Sequence, residues 1–362
     1  MERALQQIAK SKVDTTEDTI YFNAVVNNPN ATVPSNWKYA TFDQTRTDNI
    51  VDKASDYYLA VARFELPGHY IPLHIFPIQF GQSDPNLSVY SVTLEYNGVA
   101  SQQYLNFVTS DESATVPTTA DPEQIVGPYY FVYTYQHLLK LLNTAFSDAL
   151  SNLAGAPGGA APPVMSYDAS TKLFTLEAMV EYYDIDEAAI PIYIYMNTKL
   201  YILFQGFFVN TLNSDVTGGA PDGKDVQFQI ENFSTATYDD LFYYITQNYI
   251  SISNWNPFKR IVFISSGMPI QSEYIPTSDD ASEKVLVDFR PDESSQEDIR
   301  SVYQYTPQFY RLIGLTSNLP LRRVAFRIYW EDKDNNFYLL KIPFLQQMSV
   351  KFALIRKNLA RQ

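Results

Sequence analysis

LRRVAFRIYWEDKDNNFYLLKI, Leu321–Ile342, decides how this 362-residue chain is read. Val324, Phe326, Ile328 and Trp330 alternate with Arg323, Ala325, Arg327 and Tyr329. Side chains of an extended strand point to opposite faces in turn, so this period of two describes a strand with one apolar face. Asp332-Lys333-Asp334-Asn335-Asn336 follows, and short polar side chains of this kind tolerate the left-handed backbone of a turn. Phe337 to Ile342 returns as the partner strand, and Pro343 closes it as an edge or a strand end.

Similar patterns extend outward from this hairpin. Val350, Phe352 and Leu354 share one face of a last strand, Val350 to Ile355, with Lys351 and Ala353 on the other. Arg260 to Ser265 is an almost unbroken apolar run, as expected of a strand covered on both faces. Tyr21 to Val26 and Tyr57 to Leu66 read as strands that return to pair with the C-terminal ones. Val89 to Phe107 forms a hairpin about Asn97-Gly98, a dipeptide suited to a two-residue turn. Tyr70 to Phe80, with Pro72 and Pro77, is an edge or a broken strand, and Leu173 to Tyr183 and Ile190 to Phe204 are further strand candidates. The expected fold is mainly β, an antiparallel β-sandwich.

Two helices are expected. Leu138, Leu141, Leu142, Ala145, Ala149 and Leu153 lie on one side at helical spacing, between Thr134 as start and Gly155 as stop. Thr237 with Asp240 three residues on resembles a capping box that opens a second helix to about Tyr249. The low-complexity run 154–163 reads as a flexible loop, and 110–128 and 277–298 as acidic surface loops.

The net charge of −14 is unevenly distributed. Residues 320–362 carry nine Lys and Arg against three Asp and Glu, +6, which leaves −20 for the remainder. Phosphate binding needs clustered cations, so the bulk of the chain is unsuited to general nucleic-acid binding. With no cysteine there is no disulfide, thiolate site or thiol nucleophile. No run approaches the apolar length of a membrane span, and residues 1–18 lack the apolar core of a signal peptide. The 28 Tyr and 23 Phe favour strands and contact surfaces.

The tests for chemistry are negative. His69 and His74 are five apart with Pro72 between them, not the i, i+4 pair of a zinc helix, and His137 reads as exposed in the first turn of its helix. Gly155, Gly158 and Gly159 follow a helix, where a phosphate loop would lead into one. Asp332-x-Asp334-x-Asn336 opens like a calcium loop but has Phe337 and Pro343 where Gly and Glu belong. Glu181, Asp184, Asp186 and Glu187 read as a solvated turn. No catalytic, cofactor or metal site is expected, which points to a structural or binding protein rather than an enzyme.

The chain does resemble a family. The residues that carry this are Trp255-Asn256-Pro257-Phe258, Ile261 to Ser266, Met268-Pro269-Ile270, Asp288-Phe289-Arg290-Pro291, Tyr310-Arg311-Leu312-Ile313 and Tyr329-Trp330-Glu331-Asp332. With Ala60 to Phe64 and Ile71-Pro72-Leu73 they resemble the minor capsid, penton-type proteins of Polinton-like viruses and virophages. The resemblance implies a viral jelly roll, assembled as a pentamer at the icosahedral vertex and located in the virion. It also implies a partly helical inserted domain. The division expected is an arm at 1–18, a jelly roll from 19–128 and 255–357, and an insertion at 129–254. A double jelly-roll major capsid protein and a glycan-binding attachment protein are the alternatives. Implied partners are further copies of the chain and the major capsid protein, with packaged DNA a further candidate for the basic C-terminus.

Around a closed ring each subunit presents one surface to a different surface of its neighbour. Arg322, Arg323 or Arg327 is therefore expected at a subunit boundary, facing acids from 110–123 or 277–298. Reversing Arg323 and Arg327 should make oligomers more salt-sensitive while monomers stay folded. Deleting the arm should leave the thermal midpoint unchanged and weaken capsid incorporation.

Overall fold

The structure is a computed structural model. It describes residues 19–28, 38–67, 71–79, 81–110, 116–117, 128–212, 223–233, 235–265, 267–274, 282–290, 302–342 and 346–357. The arm at 1–18, His69, Pro343, most of 110–123 and 291–298 lie outside the described residues. In chain order the main elements begin with β1 (Thr19–Asn27), β2 (Thr41–Thr45), β3 (Tyr57–Pro67), β4 (Leu87–Tyr96), β5 (Val99–Asn106) and α1 (Tyr135–Ser151). They continue with β6 (Val164–Asp168), β7 (Leu173–Met179), β8 (Tyr193–Met196), β9 (Val209–Thr211), β10 (Val226–Phe228), β11 (Ala236–Tyr238) and β12 (Phe242–Thr246). The last are β13 (Phe258–Ile264), β14 (Val285–Phe289), β15 (Val302–Tyr305), β16 (Arg323–Asp332), β17 (Phe337–Leu339) and β18 (Gln347–Arg356). The chain divides into two units, Met1–Ile71 with Phe258–Gln362, and Pro72–Pro257.

In the first unit one sheet runs β1-β18-β3-β15 and the other β14-β13-β16, with β2 and β17 both paired along β16. Counting its eight principal strands in order, the sheets read 1-8-3-6 and 2-7-4-5. That pairing order, in which the last strand returns between the first and third, is a jelly roll. Facing rings fill the space between the sheets. Phe64 meets Phe263 edge-on at 5.1 Å, Phe326 meets Phe352 at 5.2 Å, and Phe289 stacks on Tyr305 at 4.4 Å. The alternation in β16 appears as expected: Val324, Phe326, Ile328 and Trp330 are buried while Arg323 and Arg327 are exposed.

The second unit enters the chain between the third and fourth strands of the jelly roll, β3 and β13. It is built from hairpins: β9-β10-β8-β4-β5 in one sheet and β11-β12-β7-β6 in the other. These sheets do not repeat the jelly-roll order, so the described residues do not form the two-jelly-roll alternative. Helix α1 begins where expected. Thr134 accepts a hydrogen bond from the His137 backbone at 3.1 Å, and Leu138, Leu142, Ala145 and Ala149 are buried.

Four expectations are corrected. The first boundary lies at 71/72, not 128/129, because β4 pairs with β8 and so carries the Asn97-Gly98 hairpin into the second unit. The second lies at 257/258, because Trp255 belongs to the aromatic core there, stacked on Phe174 at 5.1 Å. Thr237 opens no helix. Aromatic and β-branched residues at 242–246 favour a strand, and Asp239 accepts hydrogen bonds from the Leu241 and Phe242 backbones to form the β11–β12 turn. The acidic segment 277–298 is not simply a surface loop. Val285, Leu286 and Val287 are buried, and β14 forms an edge of the second jelly-roll sheet.

Candidate subunit-contact surface

β16 runs through the middle of its sheet, so Arg323 and Arg327 face outward from a rigid support. Arg323 reaches across to β2, where its Nε and Nη2 donate to Asp43 at 2.8 and 2.5 Å. The guanidinium holds the Asp43 carboxyl below its ordinary range. Arg322 Nε donates to Asn49 Oδ1 at 2.6 Å. Arg327 is exposed, and among the described residues its side chain has no hydrogen-bond or ion-pair partner. Of the three arginines singled out by sequence, two are thus engaged by their own chain and one is open.

A second group of charges went unremarked in the sequence. Glu331, buried on β16, accepts from Lys259 at 2.6 Å and from Arg260 Nε. Arg260 Nη1 also reaches Asp288 on β14 at 2.7 Å. Arg311 joins Asp288, at 2.8 Å, to Glu273. Three cations and three carboxylates thereby tie β14, β13 and β16 together. The available signal was the adjacent Lys259-Arg260 pair on one strand candidate and Glu331 on another, since opposite charges gain by lying across neighbouring strands.

In the second unit, His74 is the polar centre of an aromatic cluster. Its Nδ1 lies 3.3 Å from the Trp255 carbonyl and its Nε2 lies 2.8 Å from Tyr90 Oη. A carbonyl only accepts, so Nδ1 carries the proton and Nε2 accepts from the Tyr90 hydroxyl. Burial lowers the His74 pKa to about 4, against the raising effect of the Trp255 carbonyl, and burial raises that of Tyr90. The ring is a neutral structural element. His137 is half-buried where exposure was expected, with Nε2 2.6 Å from the Val108 carbonyl and its ring against Phe107.

Neither acidic motif makes a cation cage. Asp184 is buried and accepts from the backbones of Asp186 and Glu187 at 2.7 and 3.0 Å, which closes a turn. Asp332 does the same for Asp334 and Asn336, at 2.9 and 2.8 Å, and also receives Tyr338 Oη at 2.8 Å. Among the described residues no group of three His, Cys, Asp or Glu could hold a metal ion, and no helix is long and apolar enough to cross a membrane.

What the surface does present is aromatic and aliphatic. In the first unit Tyr21, Val25, Tyr39, Phe309, Tyr310, Leu312 and Leu319 are exposed.

The family model described as Sputnik minor capsid protein V18/19 matches residues 20–356. Two Sputnik virophage proteins are similar. "Uncharacterized protein V18" is 35% identical over 154 residues, which is 40% of this chain and 90% of that protein. "Structural protein V19" is 28% identical over 211 residues, 54% of this chain and 94% of that one. A chain in the cryo-EM structure of the Sputnik virophage superposes with a TM-score of 0.80 at 30% identity, covering 95% of this chain and 99% of its own. The crystal structure of mavirus penton protein shares the fold, with a TM-score of 0.63 at 16% identity over 93% of this chain and 99% of that one. A jelly roll with an inserted unit, an apolar surface and a family match over nearly the whole length agree, and this chain belongs to the Sputnik minor capsid protein V18/19 family.

Proposed function

We propose that this minor capsid protein forms the vertex penton of a virion shell, as a closed ring of five copies seated among major capsid subunits. The observation that carries the reading is the family match over residues 20–356 on a jelly roll whose insertion lies between its third and fourth strands. The fold likeness to mavirus penton protein supports it. The role is structural: buried Tyr and Phe supply most of the association energy, and charge adjusts it.

Arg327 is the open arginine, so it supplies the charged share of the subunit boundary. Arg323 is already paired with Asp43 of β2 and Arg322 with Asn49, in their own chain. An exposed ion pair contributes about 0–1 kcal/mol, so Arg327 tunes assembly without driving it. The basic C-terminal segment meets acids of a neighbouring subunit, with packaged DNA the other polyanion it suits.

Native mass spectrometry of the purified chain across concentration tests the ring. Five subunits is the expected stoichiometry. A monomer at every concentration, or a trimer, would overturn the vertex assignment.

A further inference from the structure

Among the described residues, the sheet β1-β18-β3-β15 ends in two edges that differ in kind but share rows of the sheet. At one edge, β1 reads Thr-Ile-Tyr-Phe-Asn-Ala-Val-Val-Asn, nine residues with no charge and no proline. Unpartnered edge strands ordinarily carry lysine, proline, a bulge or a short length to prevent pairing with another chain. β1 has none of these, its only partner strand is β18 among the described residues, and it leaves Tyr21 54% and Val25 45% exposed.

At the opposite edge, the chain leaves β3 and returns to it. Tyr305 pairs with Phe64, and Ile313 pairs with Leu59. Of the residues between them, Phe309 is 88% exposed beside Tyr310 and Leu312, while Arg311 is held by Asp288 and Glu273. The segment then continues along 54–57, where the Leu315 backbone donates to the Tyr57 carbonyl and the Ala54 backbone to that of Leu319, which is 71% exposed.

The registers set these two surfaces level. Leu59 lies opposite Leu354, which lies opposite Ile20; Phe64 lies opposite Val350, which lies opposite Ala24. The excursion from Tyr305 to Ile313 therefore spans the same rows of the sheet as Ile20 to Ala24, three strands away. Rotation about an axis running along the strands carries one edge onto the other at constant height. A cyclic ring needs such a pair of unlike surfaces on opposite sides of each subunit.

From this we infer that the β1 edge of one copy, at Tyr21 and Val25, receives the Phe309–Leu312 excursion of the next copy. The occupant is a second copy of this chain, because both surfaces lie on the chain itself, on opposite edges of one sheet and in the same rows; the one cation of the excursion, Arg311, is already held by Asp288 and Glu273 of its own chain. The inference rests on the ring proposed above and names the surfaces that close it.

The chain contains no cysteine, so single cysteines report contacts on a clean background. Val25→Cys and Phe309→Cys chains are mixed, assembled and treated with a bismaleimide, while native mass is recorded without cross-linker. The expected result is a covalent dimer between unlike variants and little between like ones, plus a ladder closing at the ring size when one chain carries both. A ring of unchanged mass with no unlike cross-link overturns the edge assignment and leaves the vertex reading intact. Cross-links between two Val25→Cys chains overturn it in favour of a two-fold contact. A chain monomeric by native mass overturns both readings. As a second measurement, Phe309→Arg should weaken association about tenfold or more with an unchanged monomer melting curve. Unaltered association would overturn the role of the excursion.

Discussion

At the scale of single residues, His74 makes the sharpest prediction. Its folded pKa of about 4 lies below its ordinary 6.5. As pH falls through 6.5 the unfolded chain takes up this proton first, and the folded ring resists until about 4. Stability from this group is therefore complete above the ordinary value and is lost across the window from 6.5 down to about 4. The loss is on the order of 2–3 kcal/mol, less where solvent reaches the ring. Thermal midpoints of the native chain and of His74→Gln, compared from pH 7 to 4, should converge as the pH falls. His137 shifts in the same direction, but it is present in both chains and cancels in the difference. Parallel curves would show that His74 remains easily protonated in the fold.

At the scale of elements, the charge network on β13, β14 and β16 resembles a clamp across three strands. Glu331 is buried while its cationic partners Lys259 and Arg260 reach solvent. Glu331→Gln keeps the shape and removes the charge. It should lower stability by about 2 kcal/mol, the range for hydrogen bonds to charged groups, because the amide keeps one neutral acceptor where Lys259 and Arg260 each had a carboxylate oxygen. An unchanged urea midpoint would mean that the cations serve the surface and not the sheet. The β4–β5 turn makes a similar local prediction. Gly98 has φ of 75° beside Asn97 at 49°, the left-handed pair of a type I′ turn. Gly98→Val should cost about 1 kcal/mol or more, visible as a lower thermal midpoint, since a β-branched residue strongly disfavours positive φ.

At the scale of the whole molecule, a −14 chain must associate with copies of itself. Like net charges repel over roughly a Debye length, about 10 Å at 0.1 M salt. Apolar contact is not screened, so association should tighten as ionic strength rises. Arg327→Glu adds two negative charges beside the boundary. It should assemble more weakly than the native chain at low salt and approach it at high salt, with an unchanged monomer melting curve. Sedimentation velocity across ionic strength checks both, and a salt-independent difference would place Arg327 away from the contact.

The strands and their faces were legible from sequence alone. Period-two alternation in 324–330 and 350–354 is local chemistry, as are the Thr134 cap and the positive φ required at Asn97-Gly98. The resemblance carried by residues within 60–73 and 255–332 placed the chain in its family. What only tertiary structure decided was partnership. Nothing local to the 89–107 hairpin says that β4 will pair with β8, so the unit boundary moved. Nothing local to Thr237 outweighs the pairing of 242–246 with β7, so a helix signal became a hairpin. Asp43 is 280 positions from Arg323, and only the pairing of β2 with β16 brings the two side chains together. The contact surface follows the same rule. The uncharged run at β1 and the aromatics near Phe309 can be read as letters, but their equal height on opposite edges exists only after β18 and β3 have set the register between them.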